Sequence, residues 1–199
     1  AEAVAKSSCE WLDCARAWKE VFADAANAER CLQEAEARAD DVGAWSGCNE
    51  GWKLILGNPA RGRRCLERAE SMARRTPDWL GCAYHWKLLY REEMRGRRCV
   101  QTAESKAEGL TPWEGLTAWA HCAFYWKAVL GDDAAGRRCL ERAEAEARSS
   151  TLWLGCDLAW HWKEVFGDES RARQWMVEAE SWANSHSRWT ECASTWKDV

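Results

Sequence analysis

The sequence lacks any apolar run that approaches the roughly 18 residues a membrane span requires. Its first ten residues, AEAVAKSSCE, also lack the apolar core of a secretory signal peptide. We therefore expect a protein that does not associate with membranes and that is located in the cytoplasm.

An excess of positive charge and the usual catalytic motifs are also missing. The formal net charge is −4 over 199 residues, so no overall positive field points to nucleic acid. The sequence shows no phosphate-binding loop, paired acids or nucleophile–base pair, and His85, His121 and His161 share no ligand spacing. We therefore expect no enzyme activity, no cofactor, no metal and no nucleic-acid partner.

Tryptophan and cysteine are abundant, with 16 and 11 copies, and repetition explains both counts. A Trp-Lys dipeptide begins at residues 18, 52, 86, 126, 162 and 196. A second phrase, typified by RRCLERAE, follows each of the first four copies and places a cysteine 13 residues after the tryptophan. A period near 34 residues is typical of tandem-repeat proteins.

Each repeat predicts two helices. Trp45, Cys48 and Trp52 are spaced by 3 and 4 residues and share one helical face. The segment Gly57-Asn58-Pro59 ends this helix, and a second helix with small residues around Cys65 follows. Short connections make successive helices antiparallel neighbours. The pattern predicts an all-α solenoid of eleven helices without a sheet.

The repeats form a single predicted domain over residues 1–199. The predicted repeats cover 8–41, 42–75, 76–115, 116–149 and 150–185, and a final helix covers 187–199. Closely similar copies are typical of a fragment of a longer array, of an engineered array and of a recent duplication.

The repeat resembles the tetratricopeptide repeat family as a divergent or idealised relative. Trp11, Ala15 and Trp18 match its aromatic and small positions in the first helix, and Ala28 and Leu32 match its small–large spacing in the second. The resemblance implies an α-solenoid whose first helices line a concave groove that binds proteins or peptides.

Two repeats depart from the regular spacing. Extra residues in Glu108–Leu116 predict an elongated loop that carries Trp113. In the fifth repeat Trp162 comes two residues late, which rotates its position by about 200° on an ideal helix. We expect a π-bulge or a shifted helix start there.

The regularly spaced cysteines have two interpretations. From residue 14 to residue 99 they recur every 17 residues, and residues 122, 139 and 156 resume this spacing. They favour buried packing, because there is no CxxC motif and Trp175 replaces the cysteine in the fifth repeat. A thiol ladder for metal or redox chemistry is the alternative.

Lysine provides the clearest functional signal, because six of the lysines occupy one repeat position. They are Lys19, Lys53, Lys87, Lys127, Lys163 and Lys197. The family resemblance places them near the groove, beside positions such as Leu80, Leu154, Glu50, Tyr84 and Phe124. One interpretation is a groove for acidic partners, formed by these lysines with Tyr84, Phe124 and Trp113. The other is structural: each lysine stem covers the adjacent Trp and pairs with a repeated glutamate, such as Glu36, Glu70, Glu104, Glu144 or Glu180.

These patterns favour a protein- or peptide-binding scaffold, and Trp160 and Trp182 are further candidates for exposed contacts. Alternatives are a self-assembling array and a thiol-rich metal or redox protein. The final helix turns Trp189, Cys192, Trp196 and Val199 to one side with no second helix to cover them, which predicts end-to-end self-association.

Overall fold

The computed structural model describes residue 2 and the ranges 5–150, 155–183 and 185–197, with the backbone alone at 149, 150 and 186. Within these ranges it contains eleven α-helices and no strand, which confirms the predicted all-α fold. None of these helices is long and apolar enough to cross a bilayer. The α-helices are α1 (Ser8–Glu20), α2 (Ala25–Ala37), α3 (Val42–Glu50), α4 (Pro59–Met72), α5 (Thr76–Tyr90), α6 (Glu93–Ala107), α7 (Pro112–Phe124), α8 (Asp133–Ser150), α9 (Gly155–Trp160), α10 (Glu169–Trp182) and α11 (His186–Thr195). Three π-helical segments continue α3, α7 and α9: π1 (Gly51–Ile55), π2 (Tyr125–Val129) and π3 (His161–Val165).

The helices divide between two compact units, Ala1–His85 and Trp86–Val199, where the sequence predicted one domain. In the N-terminal unit α1 pairs with α2 and α3 pairs with α4, and α1 also packs on α3 and π1. In the C-terminal unit α7 pairs with α8 and α9 pairs with α10, while α11 packs on both α9 and α10. The helical hairpin is therefore the building block of each unit.

A recurring turn ends the first helix of each repeat. The carbonyl of Trp126 accepts the backbone N–H of Asp132, six residues later, at 2.7 Å. Gly131 lies between them with a φ of 72°, which glycine adopts without steric cost. The Asp132 carboxylate then accepts the N–H of Ala135 at 3.0 Å and caps α8. Equivalent six-residue bonds follow Trp18, Trp52, Trp86 and Trp162.

Two copies of this turn lack glycine. Ala23 and Arg91 occupy the position of Gly131 with φ values of 54° and 57°. A side chain in this left-handed conformation costs about 1–2 kcal/mol. These two turns are therefore strained relative to the three glycine-containing ones.

A π-helical segment carries the Trp-Lys dipeptide in three repeats. In the fifth repeat π3 contains Trp162 and Lys163, as the two-residue offset predicts. No comparable sequence signal predicts π1 and π2, since their repeats contain no insertion within the first helix. All three π segments are followed by a glycine of positive φ, at residues 57, 131 and 167.

The extra residues of the fourth repeat lengthen a helix as well as the loop. Helix α7 begins at Pro112 with Thr111 in an extended N-cap conformation, so Trp113 lies in the first helical turn. The prediction that Trp113 lies on an elongated loop is wrong. Proline at the first helical position favours this early start because its fixed φ suits a helix and its missing N–H would have no intrahelical partner there.

The N-terminal core brings α1 and α3 into close contact. Leu32, Cys48 and Trp52 are buried in it. A Cβ atom at Gly47 would lie 2.7 Å from Leu12, and one at Gly51 would lie 2.5 Å from Leu32. A larger residue at 47 or 51 would therefore require the Leu12 or Leu32 side chain to move.

Candidate binding surfaces

A buried carboxylate connects three helical segments in the C-terminal unit. Glu144 of α8 is only 2% exposed. It accepts the indole N–H of Trp162 at 2.6 Å and that of Trp175 at 2.5 Å. Arg171 donates to both of its oxygens, at 2.9 and 2.7 Å. Glu144 therefore joins α8 to π3 and α10 through hydrogen bonds shielded from water.

In other repeats, the glutamates at the position of Glu144 accept hydrogen bonds from similar donors. Glu104 accepts the indole N–H of Trp126 at 2.5 Å and the thiol of Cys139 at 3.0 Å. Glu180 accepts the indole N–H of Trp196 at 2.5 Å. These repeated glutamates thus link the second helix of one repeat to the following repeat.

In the N-terminal unit, the equivalent carboxylate binds arginine. Glu36 receives Arg61 at 3.2 and 3.0 Å and the thiol of Cys65 at 3.1 Å. The buried indole N–H of Trp52 finds no acceptor among the described residues. The Arg61 guanidinium instead lies 3.8 Å from the centre of the Trp52 ring, a cation–π distance.

Three buried cysteines of the second helices, Cys31, Cys65 and Cys139, donate thiol hydrogen bonds to glutamates in addition to packing. Burial, and then the hydrogen bond to Glu104, raise the pKa of Cys139. In the fifth repeat Trp175 takes the cysteine position, and its N–H reaches Glu144 as the Cys139 thiol reaches Glu104. The exchange of Cys for Trp therefore preserves a donor to the same glutamate.

Burial also protects the thiols of the first helices. It raises the pKa of Cys48 to about 11 and that of Cys122 to about 12. A nucleophilic or metal-binding cysteine needs the opposite shift, because the thiolate is the reactive form. Within the described part of the chain, no group of three or more His, Cys, Asp or Glu residues is placed to hold a metal ion.

Two of the repeated lysines pair with acids at the start of the second helix. Lys87 binds Glu93 at 2.8 Å, and Lys127 binds Asp133 at 2.5 Å. Asp133 also binds Arg137 at 2.9 Å. The structural interpretation named Glu70 and Glu104 as typical partners, which is wrong for these two lysines because the turn brings the residue six positions later within reach. Lys19 and Lys197 are exposed, while Lys53 and Lys163 are half-buried.

Arginine guanidinium groups lie over several of the repeat tryptophans. The guanidinium carbon of Arg95 lies 4.0 Å from the ring centre of Trp86, and that of Arg171 lies 4.2 Å from that of Trp162. The prediction that lysine stems also pack on these rings stays a prediction. Arginine suits the position because its planar guanidinium stacks on an aromatic face while its N–H groups reach a carboxylate.

A groove of about 550 Å³ lies between α1 and α3 with π1 in the N-terminal unit. Lys19 and Glu50, two of the residues expected near a groove, line it together with Leu54, which is 63% exposed. Leu80, which was also expected there, is buried, and Leu154 lies outside the described residues.

The aromatic candidates lie at one repeat position, two residues before the Trp-Lys dipeptide. Tyr84 is exposed on α5 in the N-terminal unit. In the C-terminal unit Phe124 is 37% exposed at the end of α7 and Trp160 is 44% exposed at the end of α9. Trp113 is also exposed, but it lies at the opposite end of α7 from Phe124. Leu88 was not anticipated, although it is exposed two residues after its repeat tryptophan.

The final helix exposes only part of its predicted stripe. Trp189 is 50% exposed, whereas Cys192 is buried and its sulfur lies 3.8 Å from that of Cys156 on α9. Trp196 is half-buried, and its indole N–H donates to Glu180. Val199 lies outside the described residues.

No protein-family model, curated protein or solved structure matches the chain, so the tetratricopeptide resemblance stays a prediction from its residues.

Proposed function

We propose that the chain is a protein- or peptide-binding scaffold, and not an enzyme, that binds through the exposed faces of its first helices. The observation that carries this proposal is the exposure of Phe124 and Trp160 at one repeat position. Helix α7, which ends at Phe124, packs against π3, which begins directly after Trp160. Tryptophan is among the residues most enriched in binding hot spots, and phenylalanine is enriched at protein interfaces.

The groove of the N-terminal unit supports the same function. It combines the apolar Leu54 with charges of both signs, including Lys19 and Glu50. An apolar residue beside charged groups suits a peptide that packs one side chain on the apolar residue and forms hydrogen bonds through the backbone on either side of it. Because Lys87 and Lys127 pair with acids of their own hairpins, these two lysines do not by themselves favour acidic partners.

The test is a random-peptide display selection against the wild-type protein. Peptides selected on the wild type should bind the Phe124→Ala/Trp160→Ala variant at least about tenfold more weakly, since hot-spot aromatics each contribute about 2 kcal/mol or more. The matched control is Met94→Ala/Val177→Ala, which removes two exposed apolar side chains from second helices. Equal binding of the selected peptides to all three proteins would contradict the proposal.

Self-assembly is the second candidate, because Trp189 leaves an exposed indole on the last helix. In that case light scattering after gel filtration should show oligomers that grow with concentration, and Trp189→Ser should abolish them. A mass that stays monomeric at every concentration would exclude this candidate.

A further inference from the structure

A second concave site lies in the N-terminal unit, away from the first-helix groove. It has a volume of about 420 Å³ and is formed by the end of α2, the start of α3 and the length of α4. Its lining residues are Glu36, Trp45, Arg61, Arg64, Cys65 and Arg68. Three guanidinium groups therefore face a single carboxylate.

The Glu36 carboxylate already has hydrogen-bond donors from its own chain. Glu36 receives both a bidentate bond from Arg61 and the thiol hydrogen of Cys65. By contrast, Arg64 and Arg68 are exposed, and neither forms an ion pair within the described ranges. Two of the three positive charges in the site are thus available to a ligand.

The fourth repeat shows why Arg68 is unpaired. There Arg142 occupies the position of Arg68 and pairs with Glu146, one helical turn later, at 3.6 Å. In the second repeat the residue one turn after Arg68 is Met72, which cannot neutralise it. Arg68 therefore keeps its charge unpaired, and the three arginines and one glutamate that line the site give it a formal charge of +2.

We propose that this site binds a phosphorylated side chain of a partner protein, with Arg64 and Arg68 holding the phosphate and Trp45 contacting the carbon atoms that carry it. A phosphate monoester bears about −1.5 to −2 charges at neutral pH, which matches the formal positive charge of the residues that line the site. Arginine donates in a fork that fits two phosphate oxygens at once. The half-buried Trp45 supplies an apolar wall beside them.

The site shares no residue with the first-helix groove or with Phe124 and Trp160, so the two proposals stand or fall separately. The experiment compares one flexible, otherwise uncharged peptide with a central tyrosine in its phosphorylated and unphosphorylated forms, by isothermal titration. The wild type should bind the phosphorylated form at least about tenfold more tightly, as expected for two charge-assisted contacts. Arg64→Gln/Arg68→Gln should remove this preference while the melting temperature stays unchanged.

Arg75→Gln/Arg173→Gln is the matched control, because both side chains are exposed, lie outside the site and carry the same total charge. It should retain the preference within about twofold, since diffuse charge effects are screened over about 8 Å at physiological salt. An equal loss in both double variants would mean general electrostatic attraction and would overturn the site. So would a wild type that binds both peptide forms alike, or that binds vesicles containing phosphatidic acid but not the phosphopeptide.

Discussion

Removing the Glu144 carboxylate tests the idea that buried glutamates hold the repeats together. In Glu144→Ala the indole N–H groups of Trp162 and Trp175 lose their acceptor. Both tryptophans are completely buried, so water cannot replace the lost bonds. Each buried donor left unsatisfied costs about 1–3 kcal/mol, and Arg171 also loses its closest carboxylate. We expect the free energy of unfolding to fall by about 3–5 kcal/mol.

The measurement is guanidinium-induced unfolding followed by circular dichroism and by tryptophan fluorescence. Both probes are needed because repeats can unfold separately, and the loss should appear in the transition that involves the C-terminal unit. The control is Glu141→Ala, which removes a half-exposed carboxylate that pairs with the same Arg171 at 3.4 Å. This exposed pair should contribute no more than about 1 kcal/mol. Equal losses in the two variants would refute a structural role for the buried carboxylate.

Two further predictions concern the turns and the thiols. Because Ala23 and Arg91 adopt positive φ, Ala23→Gly and Arg91→Gly should each raise the free energy of unfolding by about 0.5–1 kcal/mol in thermal denaturation. Gly131→Ala should lower it. Destabilisation by both glycine variants would contradict the turn geometry. Cys9 is exposed and the other ten cysteines are buried, so a disulfide reagent should modify one thiol rapidly in the native protein, and Cys9→Ala should remove that phase. Several fast thiols in the native protein would contradict the burial of the repeated cysteines.

Sequence spacing predicted the helices well because the buried faces repeat. The steps between Trp45, Cys48 and Trp52 place them on one side of α3 and π1, and Cys48 and Trp52 are buried. The spacing could not decide where an insertion goes. It showed that the fourth repeat is longer, but the division of the extra residues between the loop and α7 depends on Thr111 and Pro112 at the helix start.

The lysine partners were missed for a different reason. Helical periodicity identifies neighbours three and four residues apart, but Lys127 and Asp133 are six residues apart across a turn. The backbone bond between Trp126 and Asp132 sets that turn, and it brings the next residue to the lysine. An Asp or Glu at this position in three of the five hairpins, at residues 93, 133 and 169, was the signal in the sequence.

The residues that recur in most repeats therefore have structural roles. Trp126 donates to a glutamate and closes a turn with its carbonyl, and Lys127 pairs with an acid of the same hairpin. The position two residues before the tryptophan behaves differently, since it is exposed in all five complete repeats while its side chain changes. It holds Arg16, Glu50, Tyr84, Phe124 and Trp160 in turn. A position that keeps its exposure but not its chemistry is free of packing constraints, so selectivity for a partner can be encoded there without disturbing the fold.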